Sequence, residues 1–125
     1  MYGIKDYINK WKENNDFSWN SFWLMFGTFL DRFYAEKDVN LLKEEPLWDD
    51  IPKEIQSFVS SSVDYLSNSI NEKTPTWAMN KKYELKEPFF PSDLKGDIRA
   101  VMLIESPIEY KVRNIYVLGN VLTRC

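Results

Sequence analysis

Between Trp19 and Phe33 the chain gathers large apolar side chains on two adjacent helical stripes. Trp19, Trp23, Phe26, Leu30 and Phe33 form one, and Phe22, Met25 and Phe29 form the other. A helix apolar over so much of its circumference has to be packed on several sides. The segment therefore predicts the central helix of an α-helical core, capped by Asp16 or Ser18 and ending near Ala35 or Glu36. Thr28, Asp31 and Arg32 supply its few polar positions. Gly27 reads as a site of close helix packing, and Asp31 as surface-exposed.

The flanking patterns agree with that frame. Ile4, Tyr7, Ile8 and Trp11 keep helical spacing and predict a short first helix over 4–13. Asn14-Asn15 then breaks the period. A third helix is expected from Pro52, because proline suits a first helical turn and Asp49-Asp50 complement the positive end of the helix dipole. Ile51, Ile55, Phe58, Val59, Ser62, Tyr65, Leu66 and Ile70 keep helical spacing on one face. Ser57, Ser60, Ser61, Ser67 and Asn68 form the other, which is expected to be exposed or packed through small side chains.

From 71 to 92 no period is sustained, and Pro75, Pro88 and Pro91 argue against a long helix. The stretch carries Trp77, Tyr83, Phe89 and Phe90. It reads as an ordered belt whose rings close the core, with anchoring of a partner as the alternative. A fourth helix is expected from Ser92 or Asp93 to Glu105. Ser106-Pro107-Ile108-Glu109 then matches a capping box. It would start a fifth helix carrying Ile108, Val112, Ile115, Leu118, Val121 and Leu122. The β-prone run 114–118 could be a strand instead, but with no partner strand evident helix is preferred. The expected fold is all-α: a compact bundle of four to five helices with an irregular aromatic, proline-rich segment at about 71–92, forming one domain over 1–125.

Composition narrows the chemistry. None of the 125 residues is histidine, and the single cysteine is Cys125. Ser-His-Asp and Cys-His nucleophile pairs, histidine general bases and His-ligated or multi-Cys zinc have no residues to use. Glycine-rich phosphate loops are missing as well. The expectation is a non-catalytic protein without metal or cofactor. No disulfide within the chain can form, Met1 to Asn15 lacks the apolar core of a signal peptide, and the most apolar run, Phe22 to Leu30, is far short of the roughly 20 residues a bilayer requires. A cytoplasmic location without a membrane partner is expected.

The net charge is −3, unevenly spread: 36–54 holds seven acidic and three basic residues, and 95–125 holds five basic and three acidic. The acidic connector, with Glu44, Glu45 and Trp48, is either a solvated face or a docking surface for a basic partner. Arg113, Asn114, Asn120 and Arg124 form a polar cluster near the end of the chain. A buried arginine needs a carboxylate, and Glu105 or Glu109 is the natural candidate, Glu109 lying four residues before Arg113. The functional alternative is a bound anion or phosphate-bearing ligand.

The segments Pro75-Thr76-Trp77, Pro88-Phe89-Phe90, Ser106-Pro107, Arg113-Asn114-Ile115-Tyr116-Val117 and Asn120-Val121-Leu122-Thr123-Arg124 together resemble the pattern of an uncharacterised bacterial protein family. The resemblance covers about 50 residues towards the C-terminal end and implies no activity. Arg113-Asn114 is also similar to part of the arginine–histidine motif of HEPN-type helical ribonucleases. Without a histidine the resemblance implies that such ribonuclease activity is absent.

These features favour an interaction protein such as an antitoxin, an immunity factor or a complex subunit, acting through a protein partner or self-association. Trp77, Phe89, Phe90, Glu44, Glu45 and Trp48 are its candidate contact residues. A nucleic-acid-binding regulator is less favoured and requires Lys95, Arg99, Lys111, Arg113 and Arg124 on one surface. An enzyme built on carboxylates and arginine requires a pocket where two of Asp31, Glu105 and Glu109, or similar residues, converge.

Overall fold

A computed structural model describes residues 3–91, 106–117 and 122. Helix α1 spans Ile4–Lys12, α2 Trp19–Glu36, α3 Lys53–Ser69 and α4 Ile108–Lys111. Short 3-10 turns lie at Val39–Leu42, Thr76–Met79 and Lys81–Tyr83. The fold is an all-α bundle, and no strand occurs among the described residues. The helix expected from Ser92 or Asp93 to Glu105 lies outside the described residues.

Local chemistry sets the helix ends. Ser18 caps α2, its hydroxyl accepting from the Ser21 amide at 3.2 Å, while Asp16 accepts from the Ser18 amide. Lys37 stops α2 in the left-handed region, its N–H returning to the Phe33 carbonyl. At the start of α1, the Asp6 carboxylate accepts from the Gly3 amide at 3.0 Å. A Cβ on Gly3 would fall 2.6 Å from the Leu41 carbonyl oxygen, so only glycine lets α1 lie this close to the 3-10 turn. Pro52 sits one position before α3 and receives the Ile55 and Gln56 amides on its carbonyl.

The centre of the core is a ring interlock between α2 and α3. Phe58 is fully buried and meets Trp19, Phe22, Trp23 and Phe26 edge-on, with centroids 5.2–5.9 Å apart. Such edge-to-face pairs each add about 0.5–1.5 kcal/mol to the burial itself. Of the two aromatic stripes of α2, Phe22, Phe26, Phe29, Leu30 and Phe33 are buried; Trp19, Trp23 and Met25 are half-buried. Asp31 is exposed.

Helix α3 is the hub. It contacts α4, both later 3-10 turns and the first one. Its serine face is packed: Ser57, Ser60, Ser61, Ser62 and Ser67 are all buried, while Asn68 is exposed. Small side chains let neighbouring backbone approach. Each hydroxyl is satisfied, Ser60 and Ser61 by the Ser57 carbonyl, Ser62 by Phe58, Ser67 by Val63, and Ser57 by the Tyr83 carbonyl across the interface.

The fifth-helix expectation is corrected. Helix α4 is one turn long. Asn114 adopts φ 66°, its amide reaches the Lys111 carbonyl and the Ile115 amide reaches Tyr110. That pair of bonds is a Schellman stop with asparagine in the left-handed position. The same device ends α3, where Asn71 sits at φ 57° and the Glu72 amide returns to Ser67. After the stop the chain runs extended. Ile115 forms a parallel bridge with Phe89, the Phe89 amide donating to Asn114 and the Tyr116 amide to Phe89. The belt itself thus supplies the partner that was not evident in the sequence. The expected capping box is also not formed. Pro107 occupies the cap position, and the Ser106 hydroxyl instead donates to the Val117 carbonyl at 2.8 Å and accepts from the Val117 amide at 2.7 Å.

Candidate functional site

Three side-chain assemblies stand out. The first is a buried ionic clip. Arg113 is 3% exposed, and its guanidinium reaches the Asp64 carboxylate at 3.1 Å, the Glu109 carbonyl at 2.6 Å and the Ala78 carbonyl at 2.7 Å. The other Asp64 oxygen accepts from the Thr74 hydroxyl at 2.7 Å. The carboxylate foreseen for Arg113 therefore comes from α3. Glu109 contributes its backbone, and its side chain accepts from Asn68 instead. Arg113 joins α3, the belt and α4 through three oxygen acceptors that a lysine could not reach together.

The second assembly surrounds Glu45. Its carboxylate accepts from Tyr83, from Trp48 Nε1 at 3.3 Å and from Lys82 at 2.8 Å. Burial alone would raise the Glu45 pKa. The bonds from Lys82, Tyr83 and Trp48 outweigh it and hold the group below the usual carboxylate range. The Tyr83 phenol is pushed up, first by burial and then by the Glu45 bond. Trp48, Trp77 and Tyr83 pack mutually at 5.9–6.4 Å, and Trp77 Nε1 donates to the Leu42 carbonyl at 3.0 Å. These rings fasten the connector to the belt.

Phe89 stacks on Trp19 at 5.8 Å and Phe90 lies 5.6 Å from Tyr116, so both also serve internal contacts. Glu44 is exposed, 3.7 Å from Lys5. Asn114 donates to the Leu85 carbonyl at 3.2 Å and belongs to the helix stop. Asn120 and Arg124 lie outside the described residues, as do Glu105, Lys95 and Arg99 of the competing readings.

The third assembly was not foreseen. A groove of about 520 Å³ is lined by Asp64, Asn68, Lys73, Thr74, Met79, Ile108, Glu109 and Val112. Five large hydrophobic side chains are exposed among the described residues. Three of them, Met79 at 54%, Ile108 at 65% and Val112 at 51%, line this groove. Residues of α3 run between its two sides: Lys73, Thr74 and Met79 come from the belt, and Ile108, Glu109 and Val112 from α4 and its turn. The sequence pattern puts Ile108 and Val112 on the apolar stripe of a longer fifth helix. With α4 stopped after one turn, their shared face looks outward, while Tyr110 and Arg113 point into the core. The asparagine after Arg113 was the sequence signal for this. The groove's carboxylates are already engaged, Asp64 by Arg113 and Thr74, and Glu109 by Asn68.

Among the described residues no three acidic or cysteine side chains gather as a metal site, and no helix is long and apolar enough to cross a membrane. Comparison with protein-family models, with curated proteins and with solved structures gives no match.

Proposed function

We propose that this chain is a non-catalytic protein-interaction domain, in the manner of an antitoxin, an immunity factor or a complex subunit, and that the groove between the belt and α4 is its contact surface. One observation carries the reading: of the five large hydrophobic side chains exposed among the described residues, three meet in that one groove. Exposed apolar side chains scattered singly need no explanation, whereas three gathered in one polar-rimmed groove favour a small binding surface. The two other readings draw less support. A basic nucleic-acid surface cannot include Arg113, which is buried against Asp64. Carboxylate chemistry in the groove would need Asp64, which spends both oxygens on Arg113 and Thr74.

The test is a tagged chain recovered from its own cells, alongside light scattering of the purified protein. The reading expects a stoichiometric complex, with itself or another protein, that is lost in Ile108→Asp and Val112→Asp. A monomer that recovers no stoichiometric partner overturns it.

A further inference from the structure

We infer that the occupant of the groove is a second copy of this chain, related by a twofold axis running along the groove. This inference rests on the proposed interaction role and names the partner. Its basis is the charge layout of the two sides. The belt side presents Lys73, which forms no ion pair among the described residues. The α4 side presents Glu109, whose only described side-chain partner is the neutral amide of Asn68. Asp64 and Arg113 neutralise each other beneath them. The groove therefore carries one uncompensated cation on one side, one uncompensated anion on the other, and Met79, Ile108 and Val112 in the apolar strip.

A twofold interface must be complementary to itself: whatever residue i meets, its own copy must meet residue i in return. Rotation about an axis along the groove places Lys73 of each copy against Glu109 of the other and lays the apolar strips together. A partner of one charge sign would leave either Lys73 or Glu109 facing a like charge or nothing. A second copy satisfies both. The exposed strip is small beside the roughly 800 Å² that each partner contributes to a stable interface. The association is accordingly weak and concentration-dependent, and rim charges of this kind choose the partner more than they set the affinity.

The experiment is sedimentation of the full chain over a concentration series, for wild type, Lys73→Glu, Glu109→Lys, an equimolar mixture of the two variants, and Ile108→Asp. Circular dichroism and thermal melts confirm that each variant folds. Wild type is expected to shift from monomer to dimer with rising concentration. Each charge variant alone sets like charges against each other twice and weakens dimerisation, by roughly tenfold. Mixing the variants restores dimerisation, because the heterodimer regains two opposite-charge pairs. Ile108→Asp remains a monomer.

A wild type that stays monomeric while a different protein binds in an Ile108-dependent manner overturns the second copy and leaves the interaction role standing. A monomer with no partner overturns both. A dimer indifferent to Ile108→Asp, or variants that mixing does not rescue, overturns this interface.

Discussion

The two sides of α3 are closed by different means. Towards α2 the seal is apolar: Phe58 among four aromatic rings, with no polar atom needed. Towards the belt and α4 polar bonds join the packing: Ser57 to the Tyr83 carbonyl, Ser62 to the Tyr110 hydroxyl, and Arg113 clamped on Asp64. Ring packing prefers edge-to-face and offset contacts but tolerates a range of angles. The polar side works only when donors and acceptors meet in register. On this side Ile108 and Val112 face outward while Tyr110 and Ile115 are buried. The first side stabilises through burial of rings, the second adds a demand for matched donors and acceptors that defines the shape.

Substitutions on each side separate these roles. Phe58→Ala removes the hub of the interlock and should cost about 3–5 kcal/mol in denaturant unfolding, with a cavity left behind. Arg113→Ala should cost a comparable 3–5 kcal/mol, but for another reason: it strands Asp64 as a buried charge. The double variant Asp64→Leu with Arg113→Met should therefore recover much of that loss, whereas no second substitution on α3 rescues Phe58→Ala. If the double variant is as unstable as Arg113→Ala, the clip acts through backbone contacts and the comparison fails.

Alkali should attack only the polar side. Tyr110 is fully buried, its hydroxyl bonded to Ser62, and burial raises its pKa well above the usual phenol value. A raised folded-state value means the contribution is complete below the unfolded pKa of about 10 and is lost as pH climbs above it, at up to about 1.4 kcal/mol per pH unit. Unfolding curves at pH 9 and 11 test this, and Tyr110→Phe should flatten the dependence. Asn114→Ala should lose about 1–2 kcal/mol, since alanine resists the left-handed conformation, whereas Asn114→Gly should lose less, only the side-chain bond to the Leu85 carbonyl. The smallest effect belongs to Ile108→Asp, expected within about 0.5 kcal/mol of wild type in the monomer. A larger loss would mean that Ile108 is part of the core.

Helices α1 to α3 were legible because each carries a strong apolar period and local stop signals. Asn14-Asn15 ends α1, Ser18 opens α2, and Pro52 precedes α3. The need of a buried Arg113 for a carboxylate was equally legible, being a matter of desolvation. Which carboxylate was not: Asp64 lies 49 positions away, and no local spacing points to it. The groove was hidden by a local misreading. The apolar period through Ile108, Val112 and Ile115 continues smoothly, and it outweighed Asn114, whose left-handed geometry and the β-prone residues behind it end the helix. The Ser106-Pro107-x-Glu109 pattern misled likewise, because Val117 offers the Ser106 hydroxyl both a donor and an acceptor at once.

The distance along the chain between Asp64 and Arg113 also has a meaning in time. During synthesis α3 emerges with its serine face and Asp64 complete, but their partners at Tyr83 and Arg113 are still unmade. At about 5–20 residues per second the interval up to Arg113 lasts roughly 2–10 s. Through that interval Asp64 has no counter-ion and must keep its water, so this flank of α3 stays open after the aromatic rings have found one another. Synthesis of the segment around Arg113 sets the moment at which this flank closes.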